Sequence, residues 1–335
     1  MSLLCTEKVR SNNRSDTVLT VPMEKINTAC PDPTFLADRC LENLLRAENN
    51  VSQDKIFKYF NEQSDITPKM RKIVAEWMME VCEENNCQEE VFLLALNYMD
   101  RFLASTESTL EHVQKNHLQI LAAACLLLAS KLREPGCLGL PADLLVFYTD
   151  NSITRTDLIH WELIVLSRLK WDISSITPLD FLELLLSRLP ITHRNCTDIN
   201  LDKIRKHAQA FISLAAREHN FFVYSSSNIA ASSIAASLNG MNWHRRTGIT
   251  SMDLYNLLTD WTGLKQEDIR DCMHEMEDVF EKQFQHHLPA SYCINITAQN
   301  IKQNNIIEPP QYTPNDNKHS KSQTRTPTDV QDVKL

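Results

Sequence analysis

The stretch Leu118-Gln119-Ile120-Leu121-Ala122-Ala123-Ala124-Cys125-Leu126-Leu127-Leu128 is apolar on nearly every side of a helical wheel. A helix of this kind is typical of the centre of a bundle, where other helices surround it. The longest apolar run, Ile120 to Ser130, is near half of the ~18 residues that a membrane span needs. We therefore expect a buried central helix and no membrane partner.

Proline spacing extends the helical prediction outward from this stretch. Proline is absent from residues 69–134, 142–177 and 191–288, so each window can be helical throughout. Apolar residues recur there at helical spacing, and strand-like alternation is not sustained anywhere. The predicted helices span residues 33–48, 68–84, 89–105, 111–133, 141–149, 155–169, 178–187, 200–218, 227–239, 251–262 and 265–285.

The helices fall into two similar sets of five, at 68–170 and 178–285. The third member of each set is the most apolar or richest in small residues, at 118–124 (LQILAAA) and 228–236 (NIAASSIAA). This pattern predicts an all-α protein with a duplicated five-helix domain, while the ends lack periodicity and are expected to be disordered. The predicted divisions are a disordered arm at 1–32, an N-terminal helix at 33–54, domains at 55–174 and 175–288, and a disordered tail at 289–335.

Three threonines carry the sequence pattern of helix starts. Thr67-Pro68 and Thr177-Pro178 each place a hydroxyl cap before a proline at the first helical position. Thr154 has an acidic residue three positions on, Asp157, which is a related capping pattern. We interpret all three threonines as caps, and Thr67 and Thr177 therefore not as phosphorylation sites.

The composition excludes several classes of function. Only five of the 335 residues are glycine, where average usage would give roughly two dozen. Glycine-rich phosphate loops and dinucleotide-binding folds are therefore excluded. All five glycines are predicted at helix boundaries. The net charge of −9 lacks the basic footprint of a protein that binds nucleic acid.

No group of residues has the spacing of a catalytic or metal site. The ten cysteines include no C-x-x-C pair, and no signal peptide precedes them, which predicts reduced intracellular thiols. A zinc site at Cys82 and Cys87 would need two further ligands, and none has matching spacing. The histidines are scattered, and paired carboxylates such as Glu83-Glu84 lack polar companions. We expect no enzyme activity, no metal and no cofactor.

Four sequence blocks resemble the cyclin box. They are residues 70–81 (MRKIVAEWMMEV), 96–103 (LNYMDRFL), 128–131 (LASK) and Glu162 followed by 169–171 (LKW), in cyclin order and spacing. Residues 204–209 (IRKHAQ) and 326–330 (TPTDV) are similar to the D-type cyclins. The resemblance implies two tandem five-helix cyclin boxes with an N-terminal helix.

The resemblance also implies a function. A D-type cyclin is a non-catalytic subunit that forms a heterodimer with a cyclin-dependent kinase and activates it in the nucleus and cytoplasm. The resulting kinase complex phosphorylates retinoblastoma-family pocket proteins, and this phosphorylation promotes G1/S progression. The resemblance also allows kinase inhibitors and a ubiquitin ligase as further partners.

Lys131 and Glu162 match the kinase-contacting polar residues of the family. Lys131 lies in the last turn of the predicted buried helix, where the macrodipole favours a cation. Its stem can lie along apolar surface while the ammonium meets backbone carbonyls of a partner. The alternative interpretation is an internal salt bridge or a solvated pair.

The family's substrate-docking patch matches a stripe on the first box. An Arg-x-Leu peptide would place its leucine among apolar side chains and its arginine against an acid. The alternative is plain core packing, since residues at this spacing are more often buried than exposed. The matching residues are Met70, Val74, Trp77, Glu80, Leu118 and Gln119.

Residues 3–7, LLCTE, form an L-x-C-x-E pattern in the predicted N-terminal arm. In an extended chain Leu3, Cys5 and Glu7 face the same way. The leucine and cysteine can enter apolar slots while the glutamate accepts backbone N–H groups. The pattern resembles the motif by which D-type cyclins bind pocket proteins.

Thr326 precedes a proline in the predicted tail and matches the family's degradation phosphosite. A phosphate there would add nearly two negative charges among the basic residues Lys318, Lys321 and Arg325. Thr313-Pro314 is a second candidate. We expect phosphorylation of Thr326 to create a recognition surface for turnover.

Two other functions compete with this interpretation. A transcription-associated cyclin-fold protein would bind polymerase machinery or DNA, and it would need a basic face that the net charge argues against. An all-α enzyme would need a catalytic constellation, which the sequence lacks.

Overall fold

Helices are the only regular secondary structure in the described part of the chain. The computed structural model describes residues 38–48, 65–105, 113–134, 138–190, 201–241, 243 and 250–287. These ranges contain eleven α-helices and no strand, which confirms the predicted all-α class. The motif residues Leu3, Cys5, Glu7 and Thr326 lie outside the described ranges.

The helices are numbered here in chain order, and two short 3-10 turns, Lys115–His117 and His219–Val223, accompany them. Among the described helices, none combines the length and the apolar character of a bilayer-spanning segment. The bounds are α1 Asp38–Glu48, α2 Pro68–Glu84, α3 Glu89–Ala104, α4 Leu118–Arg133, α5 Ala142–Tyr148, α6 Arg155–Arg168, α7 Pro178–Leu186, α8 Leu201–Arg217, α9 Ser226–Gly240, α10 Ser251–Thr262 and α11 Gln266–His287.

One predicted helix start is wrong by about two turns. The helix predicted over 111–133 begins at Leu118, and a 3-10 turn precedes it. His117, at the N-cap position, makes no side-chain capping bond. The tighter turn instead pairs the His117 N–H with the Gln114 carbonyl at 2.9 Å, as is frequent at helix starts.

The predicted threonine caps are confirmed. Thr67 accepts a hydrogen bond from the Met70 N–H at 3.3 Å, and Thr154 accepts one from the Asp157 N–H at 3.1 Å. Thr177 is the N-cap of α7, and a proline follows the cap in both α2 and α7. The Thr67 and Thr154 caps each satisfy an amide that the first turn would otherwise leave unpaired.

Two bundles form around central helices. Every residue from Ile120 to Ser130 of α4 is buried, and α4 packs against α2, α3, α5 and α6. Helix α9 packs against α7, α8, α10 and α11. The hydroxyl groups of the buried Ser233 and Ser237 of α9 donate hydrogen bonds to the backbone carbonyls four residues earlier. Their small size permits close approach of the surrounding helices, as predicted for both central segments.

The glycine prediction is only partly right. Gly263 ends α10 in the left-handed conformation, with φ of 73°, where a residue with a Cβ would be strained. Gly240, however, is the last residue of α9 and not the residue after it. It is solvent-exposed there, so the terminal turn tolerates the missing side chain.

A buried arginine links the two bundles. Arg71 of α2 forms two hydrogen bonds with the Asp100 carboxylate of α3, at 2.8 and 2.7 Å. Its third nitrogen donates to the carbonyl of Arg217 at the end of α8, at 3.1 Å, and its guanidinium lies over the Phe222 ring. The adjacent Lys72 forms an ion pair with Glu218. The first bundle is thus joined to the second through polar contacts of α2.

Helix α1 is attached to the second bundle. It packs against α7, and the Glu48 carboxylate accepts hydrogen bonds from the Ser227 N–H and hydroxyl at 2.8 and 2.6 Å. Ser227 lies in the first turn of α9, where a negative charge is stabilised by the helix dipole.

Candidate functional site

The end of α4 carries a lysine that is paired with a glutamate of α6. Lys131 Nζ donates hydrogen bonds to both carboxylate oxygens of Glu162, at 2.7 and 2.8 Å. The Glu162 side chain is 9% exposed, whereas that of Lys131 is 52% exposed. The ammonium group therefore covers a buried carboxylate and keeps its outer face accessible. The structure brings these two predicted residues together as an internal salt bridge.

The local sequence explains why the lysine is at the surface. Helix α4 is buried through Ser130 and then emerges, so that Lys131, Leu132 and Arg133 are exposed. A cation in this last turn faces the negative end of the helix dipole. Helix α6 packs against α4, and it carries Glu162 about two turns after the Thr154 cap.

Apolar side chains accompany the ion pair at the surface. Leu132 and Leu163 each follow a member of the pair in the chain, and both are exposed. Ile159 lies one turn before Leu163 on α6 and is also exposed. Exposed apolar groups beside a charged group are typical of protein interfaces. We call this the Lys131 surface, made up of Lys131, Leu132, Ile159, Glu162 and Leu163.

Sequence reasoning did not single out the apolar members of the Lys131 surface. A leucine that directly follows a charged residue has no periodic signal of its own. Their position in the sequence could have indicated them, because Leu132 directly follows Lys131 and Leu163 directly follows Glu162.

A tryptophan after α6 is exposed in an unusual backbone conformation. Lys170 and Trp171 both have positive φ, 56° and 61°, and the Trp171 side chain is 68% exposed. The turn is held by hydrogen bonds from the Trp171 N–H to the Leu166 carbonyl at 2.9 Å and from Tyr98 Oη to the Ile173 carbonyl at 2.7 Å. A strained turn that is held in this way keeps a large aromatic group at the surface.

Half of the predicted docking stripe is inside the core. Val74, Trp77 and Leu118 are buried, Met70 is half-buried and Glu80 is exposed. Gln119 is half-buried and accepts a hydrogen bond from the Ser152 hydroxyl at 3.1 Å. The core-packing interpretation therefore applies to the three buried apolar residues. The polar members remain at or near the surface.

A small cavity adjoins the stripe. It has a volume of about 140 Å³, and Trp77 and Glu80 of α2 line it together with Glu84, Phe147 and Asp150. Phe147 is itself exposed, so an apolar ring stands beside three carboxylates. The cavity could hold a short group that is partly apolar and positively charged.

Glu80 lies among other carboxylates of α2, and its pKa is raised. Burial raises the pKa of Glu80 above its usual range, and the neighbouring charges of Glu76, Glu84 and Glu83 raise it further. A cation placed among these side chains would relieve their repulsion. The negative field therefore favours a basic partner group.

No metal centre is found in the part of the chain that the structure describes. There, no three or more histidine, cysteine, aspartate or glutamate side chains are grouped as metal ligands would be. Cys82 and Cys87, the pair weighed for zinc, lie close together without further ligands of this kind.

Comparison with known families matches both halves of the chain. Residues 39–174 match the family model of the cyclin N-terminal domain, and residues 176–295 match that of the cyclin C-terminal domain. Together the two models cover most of the sequence.

Two relatives are similar over most of their length. G1/S-specific cyclin-D2 of Rattus norvegicus is 38% identical over 320 residues, which are 95% of this chain and 99% of the relative. G1/S-specific cyclin-D1 of Danio rerio is 41% identical over 271 residues, 79% of this chain and 88% of the relative.

A solved structure shares the fold. The X-ray structure of a viral cyclin from herpesvirus saimiri has a TM-score of 0.60 and 24% sequence identity. The match covers 72% of this chain and 96% of the viral protein.

Proposed function

The chain belongs to the cyclin family of regulatory subunits, which are not catalysts, and from this premise we propose that it binds and activates a cyclin-dependent kinase of the D-cyclin-partner class. Its relatives are G1/S-specific cyclins, which supports a role in the cell cycle. The observation that carries the proposal is the Lys131 surface. An accessible ammonium group beside exposed leucines can bind backbone carbonyls and apolar side chains of a kinase at once.

The proposed mechanism is a population shift. A kinase becomes active when the helix that carries its lysine-pairing glutamate is correctly placed. A ligand shifts such an equilibrium only by binding the active arrangement more tightly than the inactive one. The helices on either side of the Lys131 surface, α4 and α6, pack against each other and offer a rigid platform for this selection.

We also propose that retinoblastoma-family pocket proteins are the substrates of the complex. The L-x-C-x-E residues Leu3, Cys5 and Glu7 would hold the pocket protein while the kinase phosphorylates it. Phosphorylation of Thr326 would direct turnover, and the nucleus and cytoplasm are the proposed locations.

Co-expression with candidate cyclin-dependent kinases tests the proposed function. We expect a heterodimer that phosphorylates a pocket protein. A chain that lacks residues 1–8 is expected to keep its kinase and to bind the pocket protein more weakly. Failure of every kinase to co-purify, or capture of polymerase components or DNA instead, would favour the transcription-associated alternative.

The small cavity beside Glu80 is a candidate site for an Arg-x-Leu peptide, and the variant Glu80→Gln tests it. We expect this change to weaken binding of an Arg-x-Leu peptide by about threefold to fivefold, because it removes one exposed charge from the peptide's cationic end. The pKa of Glu80 is raised, so peptide binding to the unchanged chain should also weaken as the pH falls through that raised value. Fluorescence anisotropy of a labelled peptide measures both effects.

Glu267→Gln is the matched control, since Glu267 is exposed on α11, which packs in the second bundle. It should leave the peptide affinity unchanged. Equal affinities for both variants would remove Glu80 from the docking site.

A further inference from the structure

Helix α2 ends in a Schellman motif that brings two cysteines together. The Cys87 N–H donates to the Cys82 carbonyl at 3.0 Å, and the Asn86 N–H donates to the Glu83 carbonyl at 3.1 Å. Asn86, between them, has the left-handed φ of 52° that this motif requires. In this motif the first and last residues lie side by side and their side chains frequently pack together, and here both residues are cysteines.

The two thiols differ in exposure. Cys82 is buried in the core of the first bundle, and Cys87 is half-buried at the turn before α3. The two thiols are close enough for each to shift the pKa of the other. An oxidant can therefore reach Cys87 first, while Cys82 stands behind it as a second thiol.

The interaction between the two thiols changes their pKa values in opposite directions. It lowers the pKa of the Cys87 thiol and raises that of the Cys82 thiol, which burial raises further. Burial and the nearby Glu134 carboxylate act in the opposite direction on Cys87. Glu134 is held in place by the Gln88 N–H at 2.6 Å. A partly exposed thiol that is stabilised as thiolate next to another thiol has the arrangement of a redox sensor.

We propose that Cys82 and Cys87 are a reversible oxidation site, at which hydrogen peroxide converts the two thiols into a disulfide. This inference does not depend on the proposed kinase partner. It assigns a chemical role to a cysteine pair that the sequence pattern alone left as incidental thiols.

The reaction takes place in two balanced steps. The Cys87 thiolate attacks one peroxide oxygen, the O–O bond breaks, and the products are a sulfenic acid and hydroxide, which takes up a proton to form water. The Cys82 sulfur then attacks the sulfenic sulfur, the S–O bond breaks, and a second water leaves with the Cys82 proton. One peroxide is reduced to two waters, and two thiols are oxidised to one disulfide.

The test is peptide mapping of the full-length chain after exposure to dilute hydrogen peroxide. A protease that cleaves after glutamate separates the two cysteines, because Glu83 and Glu84 lie between them. We expect a peptide pair linked through Cys82 and Cys87 that dithiothreitol separates. Pairing of Cys87 with a different cysteine, or its further oxidation while Cys82 remains a free thiol, would overturn the proposal.

A variant pair tests the order of the steps. Cys82→Ala removes the second thiol, so dimedone should trap at least about fivefold more sulfenic acid at Cys87 than in the unchanged chain. Cys125→Ala is the matched control, since Cys125 is also buried in the first bundle and burial raises its pKa. Equal trapping in the Cys82 variant and the unchanged chain would exclude Cys82 as the resolving thiol.

Discussion

Replacing Lys131 with glutamate is expected to weaken binding of the partner kinase by about 30-fold or more and to abolish its activation. Loss of a charged group that is hydrogen-bonded at an interface costs about 2–5 kcal/mol of binding free energy, and tenfold in affinity corresponds to about 1.4 kcal/mol. Surface plasmon resonance gives the affinity, and phosphorylation of a pocket-protein fragment gives the activation.

The single change has a second effect that must be separated from the first. Lys131 covers the buried Glu162 carboxylate, so Lys131→Glu removes the partner of that carboxylate and places a second negative charge beside it. The charge swap Lys131→Glu with Glu162→Lys restores an internal ion pair and should recover most of the lost stability. This double variant places a carboxylate where the kinase would contact the ammonium group of Lys131, so its kinase affinity should remain low.

Lys265→Glu is the control for the change in net charge, because Lys265 is exposed between α10 and α11 in the second bundle. It should bind the kinase as the unchanged chain does. Kinase activation by a folded charge-swap variant at the unchanged level would refute the assignment of the Lys131 surface.

Arg71→Met is expected to destabilise the fold by about 3–5 kcal/mol. Arg71 is 1% exposed, and its removal leaves the Asp100 carboxylate buried without its charged partner. The contacts with the Arg217 carbonyl and the Phe222 ring are lost as well. A loss of this size is a large part of the stability of an ordinary domain, and a urea titration followed by circular dichroism measures it.

Two variants make this prediction specific. The double variant Arg71→Met with Asp100→Leu removes both buried charges and should regain much of the lost stability. Lys72→Met breaks the neighbouring Lys72–Glu218 ion pair, which joins nearly the same segments but is partly exposed, so we expect a loss below about 1 kcal/mol. Equal losses for Arg71→Met and Lys72→Met would show that burial is not the deciding factor.

Several elements were predictable because their causes lie close together in the chain. Helix α4 follows from an apolar run with no polar face, and the starts of α2 and α6 follow from Thr67 and Thr154, whose caps act within three residues. The start of α4 was misplaced, because a 3-10 turn and an α-helix share much of the same local pattern.

The site was predictable only in part. Lys131 and Glu162 came from the resemblance to cyclins, and the sequence left open whether they pair with each other. Trp77 and Val74 have the helical spacing of a stripe, but spacing does not tell a surface stripe from a buried one. Their burial depends on the helices that cover α2, and these come from other parts of the sequence.

Most helix bounds, the threonine caps and the resemblance to cyclins could be predicted from the sequence, because periodicity, capping and motif order are properties of short segments. The packed fold was needed to show which charges are buried and which thiols lie beside a second thiol. Arg71 lies 29 residues from Asp100 and 146 residues from the carbonyl it binds. Contacts over such separations form only once the helices have packed. Whether a buried charge is stable depends on these contacts, and a local sequence pattern does not contain them.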